Sequence, residues 1–159
     1  MNNWDDHLRV ASGYLELDMV DEAAAEVENI APEDKMRYEV LAFRVEVFRA
    51  AGNWDGMEAV SSFLAKVQPN EPSWPINQAW AERRRSSVAA ARKILEVAQR
   101  QFPDNATILY NLSCYASVEG DIDEAKKYLK QAINRNKKFR EISLDDPDLT
   151  LLWDSIETG

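Results

Sequence analysis

The stretch EGDIDEAKKYLKQAI, Glu119–Ile133, carries the pattern that decides the fold. Gly120 suits the left-handed backbone that closes a preceding helix, and Asp121 with Glu124 three residues later reads as a capping box opening the next. From there Ile122, Ala125, Leu129, Ala132 and Ile133 recur at helical spacing along one stripe. A single short helix cannot bury its own stripe, so the rest of the chain has to supply the partners.

Those partners are copies of the same pattern. AGNWDGMEAVSSFLAKVQP (residues 51–69), RSSVAAARKILEVAQRQFP (85–103) and EGDIDEAKKYLKQAINRNK (119–137) align without a gap. Gly52, Ser86 and Gly120 are 34 residues apart, and so are Trp54, Val88 and Ile122, and Pro69 and Pro103. Continuing the period backwards sets Val20, Ala23, Val27 and Ile30 under Ile122, Ala125, Leu129 and Ala132. The sequence therefore predicts four units of 34 residues, at about 4–37, 38–71, 72–105 and 106–139.

Each unit reads as two helices joined by a tight turn. In the last, ATILYNLSCYASVEG places Ile108, Leu109, Leu112, Tyr115 and Ala116 on one face before Gly120 ends the helix. Asn53 and Ser87 occupy the cap position that Asp121 holds, whereas Met19 cannot cap. Ala23, Ala91 and Ala125 share one phase, and Ala98 and Ala132 another, so helices can meet closely there. Met57 and Leu64 replace those alanines in the second unit and call for small partners such as Ala42 or Ala50.

A helix-turn-helix repeat of this length, with small residues early in the second helix and a closing proline, resembles the tetratricopeptide repeat. The resemblance covers roughly residues 4–138. His7, Leu41, Pro75 and Leu109 stand where that family often has tryptophan, and Pro32 comes three residues early relative to Pro69. It implies an all-α fold, a right-handed superhelical solenoid of antiparallel helix pairs, over a single domain spanning residues 1–159. The last stretch, residues 140–159, leaves the period. Asp146 and Pro147 read as a helix start followed by the apolar stripe Leu149, Leu152, Trp153 and Ile156, a segment suited to covering the end of the array. Trp153 as an anchor for a partner is the alternative.

Composition supports a folded chain and removes several functions. Hydrophobic residues make up 45% and charged residues 30%, a globular balance. No segment approaches the roughly 18 apolar residues of a membrane span, nor does the N-terminus read as a leader, so a cytoplasmic protein without a membrane partner is expected. Cys114 is the single cysteine and excludes an internal disulfide. The net charge of −9 resides in residues 1–71, with 15 acidic and 6 basic side chains, while residues 72–159 carry 13 of each. Such a surface repels phosphate backbones and argues against a nucleic-acid partner.

Catalytic, cofactor-binding and metal-binding sites are not expected. His7 is the only histidine and sits where the repeat wants a packed residue, Cys114 has no histidine near it in sequence, and the glycines do not cluster into a phosphate loop. The acidic stretches DMVDEAAAEVE and EGDIDEAKK lack calcium-loop spacing.

The resemblance implies a non-catalytic interaction module whose first helices line a concave groove for a partner peptide or helix. Its candidate residues are Phe43, Glu46 and Arg49 from the second unit, Asn77, Trp80, Arg83 and Arg84 from the third, and Tyr110, Asn111 and Cys114 from the fourth. Asn77 and Asn111, one period apart, would form a polar ladder for an extended backbone, with aromatics beside it. Arg83 and Arg84 would select an acidic protein or peptide. Against this, Trp80 can pack between repeats and the arginines can pair within the chain. The lysines and arginines of a two-carboxylate clamp for chaperone tails are missing: the matching places hold Leu8, Ser12, Phe43, Ser73 and Asn77, or Ala42, Glu46, Asn77, Thr107 and Asn111. Two further functions stay open: a self-assembling structural solenoid, which would be a homo-oligomer, and a small chaperone for secreted subunits.

Overall fold

The computed structural model describes residues 3–158. Among the described residues ten α-helices follow one another: α1 (Asn3–Glu16), α2 (Val20–Glu28), α3 (Tyr38–Ala51), α4 (Trp54–Val67), α5 (Ser73–Arg85), α6 (Val88–Gln101), α7 (Ala106–Val118), α8 (Ile122–Arg135), α9 (Lys138–Leu144) and α10 (Trp153–Thr158). Two 3-10 segments, Pro32–Asp34 and Pro147–Leu152, interrupt the series. The described residues form no strand.

Local chemistry explains most boundaries. Asn53 and Ser87 cap α4 and α6 through side-chain oxygens that accept from the amides of Gly56 and Ala90, each at 3.0 Å. Asn105 does the same for α7. Gly52 and Gly120 take left-handed backbone, at φ 69° and 83°, and let the chain reverse between helices. At the equivalent place between α1 and α2 stands Asp18, also left-handed at φ 58°. Asp121 departs from the expected capping box. Its side chain makes no cap bond; Arg92 donates to its carboxylate at 2.9 Å instead, drawing it away from the helix amides.

The chain divides into two compact units, one reaching to Ala81 and the other beginning at Glu82. In the first, α1 packs on α2 and α3 on α4. One core gathers Ala11, Ala23, Val27, Ile30, Val40 and Val47, and a second gathers Leu41, Val45, Met57, Leu64, Trp74 and Ala81. Ala42 packs against the second core, beside the bulky Met57 and Leu64 as expected. Ala50 is exposed and takes no such part.

The 34-residue period reappears as burial. Ala23, Met57, Ala91 and Ala125 are all 0% exposed, and Val27, Ser61, Leu95 and Leu129, then Ile30, Leu64, Ala98 and Ala132, are likewise buried. Within the second unit α7 is the most enclosed helix, contacting α6, α8 and the Pro147–Leu152 segment. Ser113 donates to the carbonyl of Ala125 at 2.7 Å, which lets α7 and α8 meet at small side chains without an unpaired hydroxyl.

The C-terminal residues differ in detail from the single capping helix of the sequence reading. Helix α9 already starts at Lys138, inside the expected last unit, and Pro147 begins a 3-10 segment rather than an α-helix. Asp146 does cap that segment, accepting from the amide of Asp148 at 3.0 Å. Leu149 and Leu152 are fully buried. Trp153 donates its indole N–H to the carbonyl of Ser143 at 2.9 Å, so its polar edge serves internal packing.

Candidate functional site

The ten candidate residues divide between the two units. In the first, three of them converge. Arg49, exposed at the end of α3, donates to Oδ1 of Asn77 on α5 at 2.8 Å, and its guanidinium lies 4.6 Å from the ring centre of Trp80, one turn further along α5. Trp80 packs in turn against Trp54 in a T-shaped contact, with ring centres 5.2 Å apart at 74°. Trp80 thus packs and also presents a π-face to a cation. Phe43 is half-buried against the α1–α3 core, and Glu46 is exposed on the same helix.

What is missing around Arg49 is a carboxylate. Among the described residues its partners are an amide oxygen and an aromatic ring, both neutral. Other arginines behave differently: Arg44 reaches Glu28 at 2.8 Å, Arg85 pairs with Glu82, and Arg135 with Asp104. Arg49 is therefore oriented but not neutralised, the condition in which a guanidinium recognises an outside anion well.

In the second unit three of the candidates, Arg83, Tyr110 and Cys114, are occupied by the chain itself. Arg83, at the end of α5, donates from both guanidinium nitrogens to the two carboxylate oxygens of Asp148, at 2.6 and 2.9 Å. That pairing holds Arg83 even further toward its charged form. Its guanidinium carbon lies 5.6 Å from the ring centre of Tyr115. The hydroxyl of Tyr110 donates to Asp146 at 2.7 Å, and its ring stacks on Phe139 at 4.6 Å and 17°. Cys114 is buried one turn away and donates weakly to the same carboxylate at 3.5 Å. Arg84 is exposed and Asn111 half-buried.

This corrects the reading of Tyr110 and Cys114 as residues of an open groove. They are 6% and 4% exposed, and their polar groups are turned to Asp146. The sequence reading assigned Asp146 to a helix start and left Asp148 without a role. The available signal was charge: Asp148, next to the buried Leu149 in DDPDLTLL, is the counterpart of Arg83. Asn77 and Asn111, placed together as a ladder by their period, fall in different units, and Asn77 gives its acceptor to Arg49.

Chemically, the only trio of potential metal ligands among the described residues is Cys114, Asp146 and Asp148, with ligand atoms within 4.8 Å of one another. Both carboxylates are already engaged, Asp148 in an ion pair with the fork of Arg83 and Asp146 as acceptor from the Tyr110 hydroxyl. Burial, and then the two carboxylates, push the Cys114 thiol well above its ordinary range, so in the chain as it stands it is a thiol rather than a thiolate. Burial likewise keeps the Tyr110 phenol protonated, as a donor to Asp146. His7 bonds to Glu26 on α2 and ties the first helix pair together. No described helix is long and apolar enough to cross a membrane.

Solved structures share this arrangement of helices over nearly the whole chain. MamA 41-end from Desulfovibrio magneticus RS-1 superposes with a TM-score of 0.73 at 14% identity, over 99% of this chain and 89% of that one. TTC0263, a thermophilic TPR protein of Thermus thermophilus, gives 0.66 at 18% identity, over 98% and 99%. The fold is tetratricopeptide-like. A second MamA structure, the RS-1 ArsTM double mutant, agrees at 0.72 and 14% identity, covering 100% of this chain and 99% of that one. No protein-family model matches the chain, and no curated protein matches it in sequence. At such identities the tetratricopeptide-like fold is what these structures share with it.

Proposed function

We propose that the chain is a non-catalytic protein-interaction module, and that the α3–α5 face of its first unit binds an acidic segment of a partner protein. The observation that carries this reading is Arg49, fixed by Asn77 and Trp80 with no carboxylate partner among the described residues. Preorganisation matters because an arginine already held in place loses less rotamer freedom when its ligand arrives. Trp80 sets an aromatic ring beside the charge, and tryptophan with arginine is the pairing of residue types enriched in binding energy at protein interfaces. Phe43 packs on the neighbouring core, and Glu46, exposed one turn before Arg49 on α3, disfavours a ligand acidic along its whole length.

The second unit supports the choice of ligand chemistry. There Arg83 and Tyr110 already hold acidic side chains, from Asp148 and Asp146, while neighbouring leucines are buried. A non-enzymatic role is consistent with a cysteine held protonated and a histidine engaged with Glu26.

An array of synthetic peptides, acidic and basic, tests the reading when scanned with the native chain and with Arg49→Glu. Acidic peptides should be retained by the native chain, and the substitution should weaken them about tenfold or more. Equal retention of basic peptides, or binding indifferent to Arg49→Glu, would sink the proposal.

A further inference from the structure

A second surface lies in the other unit, on α8 and the C-terminal helices. Helix α8 and the C-terminal helices α9 and α10 enclose a cleft of about 490 Å³. Its floor is apolar, built from Leu129, Ile133 and Ile156, and Lys126, Lys130 and Arg140 stand around it. Lys126, Leu129, Lys130 and Ile133 fall at i, i+3, i+4 and i+7, so one face of α8 forms a wall about 10 Å long, two helical turns.

The charges on this cleft differ from those elsewhere on α8. Lys127 lies 3.7 Å from Glu124, and Arg135 lies 2.6 Å from Asp104. Among the described residues Lys126 and Lys130 have no carboxylate partner. Arg140 donates to the backbone oxygen of Ile156 at 3.2 Å, which ties α9 to α10 without neutralising the guanidinium. Three uncompensated cations around an apolar floor, in a chain of net charge −9, are a localised reversal of the protein's own sign.

We propose that this cleft receives an acidic amphipathic helix from a partner protein. A wall with side chains at i, i+3, i+4 and i+7 is shaped for the ridges of another helix, as in helix-in-groove recognition. Leucine-like side chains of the incoming helix would cover Ile133 and Ile156, and glutamates or aspartates on its flanks would meet Lys126, Lys130 and Arg140. Charge complementarity selects the acidic helix over a basic or neutral one.

The test uses the full chain and a fluorescent helical peptide of about 16 residues, with leucines at i, i+3, i+4 and i+7 and glutamates on the flanks. Its twin carries lysine at every glutamate. The acidic peptide should bind at least about tenfold more tightly than its twin, and Lys126→Glu with Lys130→Glu should remove most of that preference. Both lysines are exposed, so an unchanged melting temperature will separate lost docking from lost folding. Equal binding of the two peptides, or acidic-peptide binding that survives the double substitution, overturns the proposal. So does sedimentation showing that the chain self-associates through the same lysines, since the occupant would then be a second copy.

Discussion

Both carboxylate oxygens of Asp148 grip the guanidinium of Arg83, at 2.6 and 2.9 Å, across 65 positions of the chain. The bond fastens the Pro147–Leu152 segment beside the helix that carries Tyr110 and Cys114. Both partners are largely shielded from solvent, so the pair is stronger than an exposed one.

Asp148→Asn should therefore cost about 1–3 kcal/mol of stability, because it leaves a partly buried guanidinium without its counter-charge. The same change should make Cys114 react faster with a thiol reagent, since that thiol is buried beneath the segment and Asp148 helps hold it protonated. Melting curves and labelling rates check the two effects together. Unchanged labelling in a destabilised variant would show that the segment stays seated without the pair.

The buried tyrosines predict a loss of stability at alkaline pH. Burial pushes the Tyr115 phenol up to about 12, while Arg83 pulls the other way. Tyr110 and Tyr128 shift in the same direction. An unfolded tyrosine loses its proton near pH ~10, whereas the folded chain keeps it, so the contribution is complete below that pH and disappears as pH rises toward about 12. Helicity and phenolate absorbance should change together over this window. Tyr115→Phe should move the midpoint upward, and an unmoved midpoint would refute the assignment.

Asp18 offers a stabilising substitution. It holds left-handed backbone at φ 58°, at the position where Gly52 and Gly120 occupy the later turns. Asp18→Gly removes the steric penalty of that conformation and should raise stability by up to ~1 kcal/mol. A lower melting temperature would mean that the aspartate makes a contribution the turn geometry does not account for.

Ala91 tests the packing that the period implies. It is fully buried at the phase shared with Ala23, Met57 and Ala125. Ala91→Leu should overpack the site and cost about 1–3 kcal/mol. Chemical denaturation that finds the variant as stable as the parent would show that the site can expand as it does around Met57.

Up to α8, the helices and the core positions were legible in the sequence. The 34-residue spacing from Ala23 to Ala125 is a local regularity, and helix periodicity turns it directly into buried faces. Asn53, Ser87, Gly52 and Gly120 could be read as caps because capping is satisfied within a few residues of chain. Asp121 shows where such reading stops, since its carboxylate went to Arg92, a partner the sequence does not place beside it.

Tertiary structure alone decided which candidate residues remain available. Arg49 and Arg83 look alike in sequence, both closing a first helix of the repeat. One lies on Trp80 and Asn77 and the other is neutralised by Asp148, and that difference rests on where a C-terminal segment returns. Side chains distant along the chain meet only after loops have closed, so periodicity can name the helix face but not what covers it.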